Sequence, residues 1–317
     1  MVYRPWTMDL MMKSTVLMIR PVAFGFNEQT AGSNAFQQQG LDQRIAQQRA
    51  LAEFDVLVAL LRENGIDVFA IDDTPEPHTP DSIFPNNWVS FHENGQVFLY
   101  PMQAPNRRLE RRADILSQLK TKFNVTEVDD LSYFEDEQKF LEGTGSMVLD
   151  RQNKITYACV SPRTDEEVMA AFCERSGYNV VEFHAVDNNG TAIYHTNVLM
   201  CMGEKFVVIC MDSVTDEDER ELLTDSFNIT GKEIIEISLA QMNAFAGNML
   251  ELVNDEDEHI LVMSASAYHS LTPQQISSLE KHCKLIYSNL ETIETNGGGS
   301  ARCMIAEVRL PLIVHSR

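Results

Sequence analysis

The sequence predicts an α/β fold made of five repeated units, and three observations carry that reading. A run of two strand-like segments, a helix and a further strand recurs along the chain. The first strands of the successive sets align as Asn86-Asn87-Trp88-Val89, Gly145-Ser146-Met147-Val148, Thr196-Asn197-Val198-Leu199, Gly247-Asn248-Met249-Leu250 and Arg302-Cys303-Met304-Ile305. Their heads, Asn87, Ser146, Asn197, Asn248 and Cys303, stand 59, 51, 51 and 55 residues apart, and each is one short polar side chain before an apolar run. A regular spacing of this kind marks a repeat architecture. We therefore expect one domain over residues 15–317, with ββαβ-like units around a pseudo-fivefold axis and the polar heads lining a central channel.

In chain order, residues 14–20 (STVLMIR) are β-branched and apolar and stop at Pro21, which predicts a first strand. Residues 30–39 are polar and contain glycine, as a mobile loop would. Residues 41–64 carry Ile45, Leu51, Phe54, Leu57, Val58 and Leu61 at helical spacing and end at Gly65. Residues 66–71 alternate as a strand, and the three prolines of 72–80 require a loop. The second set has strands at 88–91 and 96–100, a helix over 107–123 and a strand at 125–128. The third has strands at 146–149 and 154–159, a helix over 164–176 and a strand at 179–183. The fourth follows with strands at 198–202 and 205–210, a helix around 217–227 and a strand at 233–237. The last has strands at 249–252 and 259–263, a helix from Thr272-Pro273 to about His282 and a strand at 284–287.

The 317 residues suit one large repeat domain or two average ones. A net charge of −22 opposes binding to nucleic acid and to anionic membrane surfaces. Residues 1–14 read as a loose leader without a continuous apolar core. No run approaches 18 consecutive apolar residues, so no transmembrane helix is expected. The six cysteines form no CxxC pair, a pattern of reduced thiols in a cytoplasmic protein. Without HExxH, HxH or a cysteine cluster, no metal is expected. Without GxGxxG or GxxxxGK[ST], no nucleotide cofactor is expected either.

The chemistry concentrates near the strand heads. Gly297-Gly298-Gly299 precedes Ser300-Ala301-Arg302-Cys303, so a loop delivers a thiol to the mouth of an apolar strand. Cys303 occupies a head position filled by asparagine or serine in the other units, whereas four other cysteines lie inside apolar runs. If the heads converge, so do Asp81, Glu142 and His195, which stand just before them. A thiol, an imidazole and two carboxylates supply a nucleophile, a proton shuttle and orienting anions. Each has a plainer explanation. Cys303 alone could be a small core residue, His195 a satisfied core histidine, Glu142 a turn cap and Asp81 the opening of a strand. Their joint placement at equivalent repeat positions favours the functional one.

At these residues the chain resembles the guanidino-group-modifying enzymes of the pentein superfamily, and within it the citrulline utilisation hydrolase group. The resemblance rests on Asp81-Ser82-Ile83-Phe84-Pro85-Asn86-Asn87-Trp88, Leu141-Glu142-Gly143-Thr144-Gly145-Ser146, Tyr194-His195-Thr196-Asn197 and the glycine loop through Cys303. It extends over nearly the whole chain from about Thr15. It implies a five-bladed α/β propeller, with Cys303 as nucleophile, His195 as general acid and base and Glu142 as the carboxylate paired with it. It also implies that Asp81 binds substrate and that Arg108 and Arg163 hold the substrate's α-carboxylate, a contact that suits the guanidinium fork.

One departure bears on the substrate. Relatives acting on a guanidinium place Glu-Asp or Arg-Asp in the first motif, where this chain has Asn86-Asn87. Losing that negative charge weakens binding of a cation, while an amide can donate to the carbonyl of a neutral ureido group. The expected activity is therefore hydrolysis of the ureido group of citrulline to ornithine, CO2 and ammonia. A guanidine-directed hydrolase acting on arginine or dimethylarginine and an amidinotransferase remain as alternatives, as does a propeller that binds an amino acid without chemistry. The expected partner is a small ureido or guanidino amino acid, and a homo-oligomer is compatible with the sequence.

Overall fold

In the computed structural model, which describes residues 13–32, 34, 36–38 and 40–313, the repeated pattern becomes five three-stranded sheets, each of them open. Four follow chain order. Val89–Phe91 pairs antiparallel with Gln96–Leu99, which pairs parallel with Glu127–Asp130. The same rule joins Met147–Asp150, Ile155–Cys159 and Asn179–Phe183, then Met200–Met202, Phe206–Ile209 and Glu233–Glu236. It also joins Leu250–Val253, His259–Ser264 and Lys284–Ser288. The fifth sheet draws on both ends of the chain, with Ala306–Val308 antiparallel to Thr15–Arg20, itself parallel to Asp67–Asp72.

An antiparallel pair needs only a short turn, whereas a parallel pair needs a crossover, and a helix supplies it each time. The crossover helices are Gln43–Glu63, Ala113–Leu119, Glu166–Ser176, Glu217–Ile229 and Pro273–Glu280. Asp42, Asp165, Asp216 and Thr272 cap four of them by accepting from first-turn backbone N–H groups. The longest buries Ala46, Ala50, Phe54, Leu57, Val58 and Leu61 on one face. Ile45, expected on that stripe, faces solvent, and Ala46 takes its place.

Two expectations need correction, and three short helices were not foreseen. The helix expected over 107–123 splits into a single turn, Pro105–Arg108, and the helix Ala113–Leu119. The break follows from side chains held elsewhere: Arg107 by Glu110 and Asn87, Arg111 by Glu135, and Arg112 by the carbonyl of Asp72. Short helices at Leu239–Asn243, Ala265–Ser270 and Glu291–Gly297 had no sequence forecast, because they are too short to show a period. The polar heads do not begin strands. They sit in turns just before them, such as Pro85–Asn87, Gly143–Ser146 and Thr196–Leu199. Short polar side chains bond to nearby backbone and favour such turns over a ladder. Thr196 Oγ1 donates to Ser146 O and Asn248 Nδ2 to Asn197 O, tying one repeat to the next. Most of the expected leader, residues 1–12, lies outside the described residues.

Candidate active site

Cys303 lies in a turn after the helix Glu291–Gly297, ahead of the strand Ala306–Val308. The glycine stretch is not a loose loop. Gly298 takes φ +66°, and a Cβ there would stand 2.5 Å from the Asn34 amide, so only glycine fits under that side chain. Asn34 Nδ2 donates to the carbonyls of Gly297 and Gly298, and the Tyr194 hydroxyl donates to Gly298 O.

The thiol meets two other heads of the repeat. Asn248 Nδ2 lies 3.2 Å and Asn197 Nδ2 3.4 Å from Cys303 Sγ. The Arg302 backbone N–H donates to Asn248 Oδ1 and fixes that amide with its NH2 toward sulfur. N–H donors stabilise a thiolate. By contrast, burial pushes Cys159, Cys201 and Cys283 up to about 12 and Cys173 and Cys210 up to about 11, which keeps those five thiols protonated.

Glu142 Oε2 lies 2.8 Å from His195 Nε2, and both side chains are buried. Burial opposes the charge on Glu142, but Arg163, the bond to His195 and Arg107 outweigh it and hold the carboxylate well below its usual range. Burial also lowers His195, to about 4, against the pull of Glu142, so the imidazole is neutral at pH 7. An ionised Glu142 only accepts, so the proton sits on Nε2 and the lone pair on Nδ1. Nδ1 lies against Gly145, where a Cβ would stand 2.8 Å away. Gly145 thus keeps the basic nitrogen uncovered. Arg163 Nη1 donates to Glu142 Oε2 at 3.3 Å, and its guanidinium stacks 4.9 Å from the Tyr194 ring centroid.

Asp81 lies at the same pocket. Its Oδ2 accepts from Asn27 Nδ2 and Thr30 Oγ1, while Oδ1 is buried with no partner among the described residues. Arg107 Nε stands 3.8 Å from Asp81 Oδ2, and Nη1 donates to Asn87 Oδ1 at 2.9 Å.

The structure thus gathers Asp81, Asn87, Arg163, His195 and Cys303 around one pocket, with Glu142 bonded to His195. Two expected residues fall outside it. Arg108 turns away and is bound by the carbonyls of Met102 and Gln103 and by Glu135. Its neighbour Arg107 takes the place at the pocket, because the turn opened by Pro105 points successive side chains about 100° apart. The signal in the sequence was the i,i+3 pair Arg107–Glu110, which the structure closes as a buried ion pair. Asn86 is buried outside the pocket lining, and no partner among the described residues reaches its amide.

The pocket encloses about 20 Å³, room for little more than one water. Thr30 and Asn34 line it, and beside them Gln37 Nε2 donates to Asn296 O and the Gln38 N–H to Thr295 O. The segment expected as a mobile loop is bonded across the site. No three His, Cys, Asp or Glu side chains among the described residues cluster to hold a metal ion. No helix among them is long and apolar enough to cross a membrane.

A family-model match over nearly the whole chain places it among the guanidino-group-modifying enzymes of the pentein superfamily, whose members include carbon–nitrogen hydrolases with a cysteine nucleophile. The family model described as N,N dimethylarginine dimethylhydrolase, eukaryotic, matches residues 20–310, and the chain belongs to that family. Among solved structures, the N-terminal domain of ArgZ bound to product, an arginine dihydrolase from the ornithine–ammonia cycle in cyanobacteria, is 18% identical. It superposes with a TM-score of 0.75 over 95% of this chain and 99% of that one. Against the longer ArgZ chain the TM-score is 0.74, and the match spans 41% of its length. A dimethylarginine hydrolase (DDAH) from Pseudomonas aeruginosa, a cysteine-to-serine variant complexed with citrulline, is 16% identical. Its TM-score is 0.65 over 93% of this chain and 99% of that one. These likenesses show the fold. No curated protein matches the chain significantly.

Proposed function

We propose that this chain hydrolyses the ureido group of citrulline, using a single domain over residues 15–317 arranged as a five-bladed α/β propeller. We also propose a cytoplasmic setting, supported by six unpaired cysteines. The observation that carries the substrate is the orientation of Asn87. Arg107 Nη1 occupies its Oδ1, so its NH2 is the end on the pocket side, where one N–H donates to the Glu142 carbonyl at 3.5 Å and the other is available to substrate. That NH2 lies over Gly145 beside His195 Nδ1, since a Cβ on Gly145 would approach Asn87 Nδ2 to 2.4 Å. A donor there matches a ureido oxygen and disfavours a guanidinium nitrogen.

In this reading His195 Nδ1 takes the Cys303 thiol proton as the sulfur attacks the ureido carbon. The tetrahedral adduct collapses as His195 delivers a proton to the departing δ-nitrogen, releasing ornithine and leaving an S-carbamoyl thioester. Water, deprotonated by His195, then attacks the same carbon. Carbamate leaves, the thiol is restored, and carbamate decays to CO2 and ammonia. Glu142 holds the imidazole, and Arg163 provides positive charge for the α-carboxylate of the amino acid.

A second reading keeps the same nucleophile and takes a guanidinium, on arginine or a methylated arginine. It is favoured by the unpartnered Oδ1 of Asp81, a buried acceptor that a cationic nitrogen would satisfy, and by the family to which the chain belongs. Incubating purified protein separately with citrulline, arginine, dimethylarginine and agmatine decides between them. Release of ornithine from citrulline is expected. Conversion of arginine or dimethylarginine to citrulline, with citrulline inert, would replace the first reading by the second.

A further inference from the structure

Glu110 takes no part in the reaction outlined above and does not line the pocket. It is nevertheless one of the most buried carboxylates, at 3% exposure, and binds Arg107 through two parallel bonds, Nε to Oε1 at 2.9 Å and Nη2 to Oε2 at 3.0 Å. Arg107 Nη2 also donates to Phe84 O, and Nη1 donates to Asn87 Oδ1. Four of the five guanidinium N–H bonds are thereby assigned, and the remaining one, on Nη1, faces Glu142 Oε2 at 3.8 Å. A guanidinium gripped on two edges cannot rotate, so the atom it offers Asn87 is always a donor. Asn87 must answer with its oxygen, and its NH2 turns to the pocket side, where the long 3.5 Å bond to the Glu142 carbonyl leaves one N–H for a ligand.

We propose that Glu110 is a positioning residue that sets the polarity of the Asn87 amide through Arg107, and with it the preference for a ureido over a guanidino substrate. The proposal rests on the reading above that Asn87 meets the substrate. A side-chain amide can present oxygen or NH2 after a half-turn with little change in shape. The two-point grip of Glu110 on Arg107 breaks that symmetry, with the guanidinium opposing the burial that pushes the carboxyl up to about 8. With the anchor weakened, the amide can turn its oxygen to the pocket, where an acceptor suits a guanidinium.

The test is a double-mutant cycle between Glu110 and Asn87. Glu110→Gln should lower kcat/KM for citrulline about tenfold or more, the scale of one lost buried hydrogen bond, and change that for arginine less than about threefold. Adding Glu110→Gln to Asn87→Ala should cost no more than about twofold, because a residue acting only through Asn87 has nothing left to act on. Equal losses on both substrates, or losses that multiply in the double variant, would overturn the proposal and leave Glu110 a structural residue. If Glu110→Gln does not fold, Glu110→Asp keeps the charge but is too short to hold both nitrogens, and serves the same cycle. A wild type that acts on arginine and ignores citrulline would defeat the ureido reading; a Glu110–Asn87 coupling above about threefold then measured on arginine would keep Glu110 as the residue that orients Asn87, and its absence would overturn both. Citrulline affinity measured by calorimetry in the Cys303→Ala background gives the same cycle without turnover.

Discussion

His195 Nε2 and Glu142 Oε2 lie 2.8 Å apart in the buried core of the site, with Arg163 donating to the same carboxylate oxygen. The arrangement keeps a negative charge on Glu142 and a neutral imidazole on His195, and leaves Nδ1 as the basic atom. Removing the charge from Glu142 should leave the fold and disturb the proton transfers. Glu142→Gln is expected to lower kcat by about 10²–10⁴, the usual contribution of general acid–base catalysis, with a smaller effect on KM. An unchanged kcat would remove Glu142 from the machinery.

Acid should destabilise the protein through the same pair. The His195 pKa falls from 6.5 in the unfolded chain to about 4 in the folded one, so below pH 6.5 the unfolded chain binds the extra proton. Its contribution is present in full above pH 6.5 and is lost as pH falls to 4, about 3 kcal/mol in all. Glu142 acts in the same sense, since its folded pKa is also depressed. Denaturant midpoints should therefore drop between pH 6.5 and 4, and drop less steeply in His195→Gln. Parallel curves for the two proteins would refute this.

Substituting Cys303 by alanine is expected to abolish turnover while citrulline still binds. Isothermal titration with the variant measures the second half. Turnover surviving in Cys303→Ala would exclude the covalent route.

Asn248 donates to the sulfur at 3.2 Å and is itself oriented by the Arg302 N–H. Asn248→Ala should slow alkylation of Cys303 by iodoacetamide at pH 7 by about tenfold, as expected for loss of one charge-assisted bond to the thiolate. Peptide mapping of the labelled chain would show whether the loss is confined to residue 303.

Restoring an acidic residue at position 87 should move the substrate preference. Asn87→Asp places an acceptor against Arg107 and a negative charge in the pocket, which favours a guanidinium over a neutral ureido group. Relative kcat/KM for arginine over citrulline should rise by about tenfold or more, the scale of one lost buried hydrogen bond on the ureido substrate. A fall in that ratio would show that Asn87 does not contact the reacting group.

Much of this was legible in the sequence. The strand–strand–helix–strand grammar follows from local propensities and apolar periods, and residues 179–183 were placed to the residue because a capped helix and Gly177 bound them. Cys303 stood apart from the other cysteines because it broke the pattern of asparagine and serine at the heads, and the structure brings it to Asn197 and Asn248. Where chemistry depends on which way one side chain points, sequence was silent. Arg107 and Arg108 are chemically identical neighbours, and only a turn begun at Pro105, together with a buried partner at Glu110, sends the first inward and the second to Met102 O.

Asn86 and Asn87 repeat the lesson: the pair marked the substrate question, but one amide lines the pocket and the other is buried away from it. By itself the sequence determined the repeat and most of its strands and singled out the candidate reactive groups, because these follow from short-range pattern and residue type. Tertiary structure alone decided which arginine and which asparagine line the pocket and which end of the Asn87 amide meets Arg107. Those depend on partners from distant parts of the chain, such as Arg107 on Asn87 and Asn34 on Gly298, and no local pattern encodes them.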